Sequence, residues 1–151
     1  MQKKTQGEKS MIAIGSDHAG FALKQAIMAH LEELGIDFKD YGTYDDKSCD
    51  YPDYAEAVCK AIIEGDAENG ILVCGTGIGI SIAANRHREI RAAVCTDEFT
   101  ARATREHNDA NVICLGGRVV GEGVALGIID AFLNTEFSNG ANHIRRISKL
   151  S

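Results

Sequence analysis

Gly70–Ser81, GILVCGTGIGIS, runs from an apolar strand-like segment through a lone cysteine into glycines that alternate with Thr76 and Ile78. Such a run ends a buried strand and opens a helix, so Cys74 and the backbone N–H groups of Gly75, Gly77 and Gly79 are expected at the C-terminal edge of a sheet. Bare N–H groups in a turn of this kind hold anions and developing oxyanions. The segment reads as an active site carried on a strand end.

The pattern repeats on both sides of it. Met11–Gly15 is a short apolar run that meets the turn SDHAG, and Phe21–Leu34 then places Phe21, Leu23, Ile27, Leu31 and Leu34 at near-helical spacing until Gly35 stops it. Ile36–Tyr41 is strand-like, Tyr54–Ile63 helical, and Ile78–Asn85 the start of a helix. Ala92–Cys95 reads as a strand, Phe99–His107 as a helix and Val112–Leu115 as a strand, with Gly121–Leu133 and Asn142–Leu150 as closing helices. Five strands alternating with helices predict an α/β, Rossmann-like, doubly wound five-stranded parallel sheet with helices on both faces. Ligands of such sheets bind beyond the carboxyl ends of the strands.

Composition narrows the partners. The chain has 151 residues, 44% apolar and 25% charged with one proline, as expected of a single domain, here spanning residues 11–151. A net charge of −6 offers no basic field for nucleic acid or an anionic membrane. No apolar run approaches the roughly 20 residues that span a bilayer. The partner expected is a small molecule or another copy of the chain. Met1–Ser10, MQKKTQGEKS, is polar and is followed by no signal-peptide apolar region, so it reads as a disordered leader on a cytoplasmic protein. Cys49, Cys59, Cys74, Cys95 and Cys114 are odd in number and lack CxxC spacing, which argues against a disulfide framework and a zinc site.

The strand ends collect Asp17 and His18, Cys74 to Gly79, Thr96 and Asp97, and Gly116, Gly117 and Arg118. Asp17 taken alone could cap the next helix and His18 could be a solvated loop residue, but the pair at a strand end points to function. Cys95 and Cys114 read as small core hydrophobes, whereas Cys74 stands before a helix start, where the dipole favours thiolate and the thiol can act as a base or nucleophile. A rival reading takes Gly75, Gly77 and Gly79 with Asp97 as a dinucleotide fingerprint. Its third glycine comes one position early, and it follows the third strand instead of the first. No GK[ST] follows the glycines, which argues still more strongly against an ATP-type loop. Farther along, Arg105, Glu106, His107, Asn108 and Asp109 crowd one helix end, and His143, Arg145 and Arg146 form a basic cluster that is either a solvated face or half of a phosphate clamp.

Taken together, GSDHAG at Gly15–Gly20, DYPDYA at Asp50–Ala55, CGTGIGISIAAN at Cys74–Asn85, REHNDANV at Arg105–Val112 and GGRVVG at Gly116–Gly121 make a pattern. It resembles the type B ribose-5-phosphate isomerases, in that family's order, from about Met11 to the C-terminus. Isomerases of allose 6-phosphate and galactose 6-phosphate share the glycine loop, so a six-carbon sugar phosphate is the alternative substrate. The His-Asn pair and the cysteine favour the ribose branch.

The resemblance implies interconversion of ribose 5-phosphate and ribulose 5-phosphate, in the non-oxidative branch of the pentose phosphate pathway, through a cis-enediolate with no cofactor and no metal. Cys74 would shuttle the proton with Thr76 assisting, and the backbone of Gly75, Thr76, Gly77, Ile78 and Gly79 would stabilise the enediolate oxygens. His107 would open the sugar ring, while Asn108 and Asp17 bind hydroxyls. His18, Arg118 and Arg146 would hold phosphate. Members using a glutamate base carry it at the position of Ile80, so the base here falls to Cys74. Asn142 stands where the family commonly has a phosphate-binding arginine, which predicts a weaker contact, a shifted substrate or compensation by Arg145. The resemblance also implies a homodimer or homotetramer whose active site is shared between subunits.

Overall fold

The computed structural model describes residues 11–150; the leader expected at Met1–Ser10 and the terminal Ser151 lie outside the described residues. Five strands, β1 (Ile12–Ser16), β2 (Phe38–Asp40), β3 (Asn69–Cys74), β4 (Ala92–Val94) and β5 (Val112–Gly116), alternate with helices α1 (Phe21–Glu33), α2 (Tyr51–Ile63), α3 (Ile78–Ala84) and α4 (Glu98–Asn108). Helices α5 (Glu122–Leu133) and α6 (Ala141–Ser148) close the chain. All pairings are parallel, in the order β2-β1-β3-β5-β4. The predicted doubly wound α/β sheet is therefore the observed one.

Residues of β1, β3 and β5 alternate between two apolar layers, as strands covered on both faces must. Ile12, Ile14, Ile71, Val73, Ile113 and Leu115 face α1, α4 and α5, meeting Ile27, Leu31, Ala101, Ile128 and Phe132. Ala13, Leu72, Cys74, Val112 and Cys114 face α2 and α3, meeting Val58, Cys59, Ile80 and Ala84. Cys95 and Cys114 are core residues, as predicted, and Cys59 joins them. Burial pushes the Cys59 thiol up to about 12 and raises Cys95 and Cys114 as well, so all three remain protonated packing groups.

Local chemistry sets the boundaries. Helix α1 stops in a Schellman arrangement, with Gly35 at φ 70° donating to the Glu32 carbonyl and Ile36 N–H to that of Leu31. Helix α2 begins at Tyr51, not at the expected Tyr54, because Pro52 occupies the first turn, where a missing N–H leaves no bond unmade.

Periodicity did not reveal Lys24, a fully buried cation on α1. Its ammonium lies 2.6 Å from Asp40 Oδ1 and donates to the Thr43 carbonyl. Asp40 also accepts from Gly42 N–H, and Ser16 exchanges backbone bonds with Gly42 and Thr43. These contacts bind the segment after β2 to the end of β1. Removing one member of a buried ion pair strands the other, so Lys24→Ala is expected to lower unfolding stability by about 3–5 kcal/mol in denaturant titrations.

Candidate active site

Strand order, more than sequence proximity, assembles the site. β1 sits beside β3, and β2 and β5 lie on opposite outer sides of that pair, so the crevice above β1 and β3 is the switch point where doubly wound sheets bind ligands. Asp17 N–H donates to the Val73 carbonyl at 3.2 Å, which places Asp17 and His18 against the end of β3. Asp17 is 6% exposed, and its Oδ1 accepts from Gly20 N–H at 3.1 Å. The carboxylate thus orders the β1–α1 turn.

Cys74, 4% exposed, ends β3, and its Sγ accepts a hydrogen bond from Gly77 N–H at 3.1 Å. A donor aimed at the sulfur is the contact a thiolate needs. Thr76 Oγ1 accepts from Ile78 N–H at 3.1 Å, which leaves its O–H free to donate outward. The loop after β5 closes the other side. Gly117 N–H reaches the Cys74 carbonyl at 2.8 Å and Arg118 N–H that of Gly75 at 3.0 Å. Arg118 Nη1 lies close enough to Gly75 that a Cβ there would meet it at 3.3 Å. Arg118 thus lies beside the glycine loop that carries the thiol, and Asp17 and His18 follow the neighbouring strand end.

The turn itself needs glycine at one position above all. Gly77 has φ 81°, and a Cβ on it would lie 2.9 Å from the Leu115 carbonyl carbon. Gly77→Ala combines left-handed strain with a backbone clash and is expected to cost about 1–3 kcal/mol of stability, read from the thermal midpoint. Ile80, the position to which the resemblance assigns the alternative glutamate base, is fully buried between α2 and the sheet. It packs in the core.

His107 and Asn108 are elsewhere. They end α4, which leads into the start of β5, and in a parallel sheet that point lies at the opposite edge from Cys74, which is level with Gly116. The length of β5 alone separates the edges by roughly 13 Å at about 3.3 Å per residue. The same edge carries α6: His143 stacks on His107 with ring centroids 4.5 Å apart and 17° between planes. Arg145 Nη1 donates to Asn142 Oδ1 at 3.1 Å. A cavity of about 580 Å³ opens at this edge beside Asn108, lined by Asn85, His87, Arg91, Ile147 and Leu150 among others. The predicted residues thus fall into two groups, with Asp17, His18, Cys74–Gly79 and Arg118 at one edge and His107, Asn108, Asn142 and Arg146 at the other. The order helix-then-strand around His107–Val112 already carried that signal.

Asp97, the acid of the dinucleotide alternative, accepts from Thr100 N–H at 2.7 Å and caps α4. That bond, with the Thr100 hydroxyl, holds its carboxyl below the usual range. Among the described residues no helix is long and apolar enough to cross a membrane.

The model of one protein family, described as Ribose/Galactose Isomerase, matches residues 12–150. The chain belongs to this family. Among its relatives, ribose-5-phosphate isomerase B of Escherichia coli K12 is 46% identical over 93% of each chain. The solved ribose 5-phosphate isomerase of Thermotoga maritima is 50% identical, with a TM-score of 0.92 covering 95% of this chain and 98% of its own. The Clostridium thermocellum ribose-5-phosphate isomerase B superposes with a TM-score of 0.91 at 49% identity, over 93% of this chain and 94% of that one. Membership in the isomerase family and the parallel α/β fold agree with the expectations from the motifs.

Proposed function

We propose that the protein interconverts ribose 5-phosphate and ribulose 5-phosphate. The observation that carries this reading is the Cys74–Gly79 loop, with its sulfur held by Gly77 N–H, in a chain nearly half identical to a ribose-5-phosphate isomerase B. The ring of the aldose opens with His107 moving the proton between ring oxygen and hydroxyl. Cys74 thiolate takes the C2 proton, and the electron pair moves onto the C1 oxygen as the enediolate forms. Backbone N–H groups around Gly75–Gly79 and the Thr76 hydroxyl receive that charge. A proton passes from the C2 hydroxyl to the C1 oxygen, the thiol returns its proton to C1 as the C2 carbonyl forms, and the ketose results. Asp17 and Asn108 bind hydroxyls; His18, Arg118 and Arg146 bind phosphate.

One chain cannot bring His107 to Cys74, since they lie at opposite sheet edges. A homodimer supplies the missing half, with the His107, Asn108 and α6 edge of one copy facing the Cys74 loop of the other. A homotetramer would hold two such pairs.

Asn142 bears on phosphate affinity. A neutral amide lacks the bidentate charged contact of arginine, and here its oxygen orders Arg145, the candidate replacement cation. Asn142→Arg is expected to lower KM for ribose 5-phosphate severalfold with kcat little changed; an unaltered KM would mean that Arg145 already serves. The activity is tested with metal-stripped, cofactor-free protein. Isomerisation of ribose 5-phosphate supports the reading. Turnover confined to six-carbon sugar phosphates would replace the substrate, and tight NAD binding without isomerisation would overturn the class.

A further inference from the structure

The segment 41–50 between β2 and α2 meets His18 through Cys49, a residue outside every sequence motif. The backbone N–H of Cys49 donates to His18 Nδ1 at 3.2 Å, and Cys49 Sγ lies 3.9 Å from the same nitrogen. His18 is half-buried, so this nitrogen has exchanged water for a fixed donor. The other end of the segment is held by the Lys24 ammonium on Asp40 and the Thr43 carbonyl.

We infer that the Cys49 amide locks His18 in its Nε2–H tautomer. An N–H can donate only to a lone pair, so Nδ1 must be the unprotonated nitrogen of the neutral ring. A proton on Nδ1 would instead face the Cys49 N–H head on. With Nδ1 committed as acceptor, Nε2 becomes the ring's only donor. That sets the chemistry His18 can perform. Phosphate oxygens are acceptors, so a neutral imidazole holds them only through an N–H, and a ring fixed as Nε2–H cannot act there as a base. Cys49 is accordingly a positioning residue acting through His18, and it acts through its backbone. The functional half of this inference rests on the reading that His18 holds the substrate phosphate.

Long-range ¹H–¹⁵N correlation of ¹⁵N-histidine-labelled full-length protein at pH 8, with His18 assigned by loss of its signals in His18→Gln, reads the tautomer directly. The Nε2–H pattern is expected; the Nδ1–H pattern, or an equal mixture, overturns the assignment without reference to activity. Cys49→Ala keeps the amide and should leave the Nε2–H pattern intact, whereas Cys49→Pro removes the N–H and should release a mixture. The same proline variant is expected to raise KM for ribose 5-phosphate about tenfold. An Nε2–H pattern that persists in Cys49→Pro shows that another contact sets the tautomer and overturns the role of Cys49. Should the proline variant fail to fold, the wild-type spectrum alone decides the tautomer. A confirmed tautomer with KM unaffected in His18→Gln would remove His18 from phosphate binding while leaving the lock in place.

Discussion

Cys74→Ala is expected to reduce kcat for ribose 5-phosphate by about a hundred- to ten-thousandfold, the contribution of a positioned proton-transfer group, with a much smaller change in KM. The thiol ends β3 level with Gly116 and takes Gly77 N–H on its sulfur. Ile80 is core packing, and the Asp17 carboxylate is engaged by the turn amide of Gly20. The substitution removes one sulfur from a site where an alanine methyl fits, so the thermal midpoint should move little and the loss should appear in turnover. Steady-state kinetics with circular dichroism of the same preparation separates the two. If kcat stays within threefold of wild type, the proton shuttle is another group and the mechanism proposed above falls.

Mixing two inactive variants is expected to restore activity. Cys74→Ala lacks the base at one sheet edge, and His107→Ala lacks the ring-opening group at the other. In a site built from opposite edges of two copies, a mixed dimer has one pocket with both residues intact and one with neither. Random reassortment of equal amounts makes half of the dimers mixed, so refolding the variants together should recover about a quarter of the wild-type rate, against the near-zero rate of either alone. The measurement is a ribulose 5-phosphate assay across mixing ratios, peaking at equal amounts. A flat response at the background of the single variants would show that Cys74 and His107 do not share a pocket between copies. The expectation follows from strand direction, since α4 must finish where β5 begins.

Much of the candidate site was legible because its signals are local. An apolar run breaking into Cys74–Gly79 specifies strand, turn and helix start within a dozen residues, and the resulting Gly77 N–H to sulfur bond spans three positions. Asp17 and His18 follow β1 for the same reason. Lys24 escaped notice because a lysine on a helix is usually solvated, and its burial depends on Asp40 and Thr43, which the strand order brings to it. Asn142 and Arg145, three apart on α6, are neighbours by helical geometry alone.

By itself, then, the chain's order of residues determined the alternating strands and helices, the parallel sheet, the Cys74 loop and the family, because period, turn chemistry and motif are properties of contiguous residues. Only the tertiary structure decided which strand ends adjoin. Placing β1 beside β3 brings Asp17 and His18 to Cys74 across more than fifty residues of chain, and the segment after β2 then sets Cys49 N–H on His18. It also set His107 against His143 and both of them at the edge away from Cys74. Those juxtapositions arise from burying two apolar layers on one sheet, a requirement summed over the whole chain that no local stretch can encode.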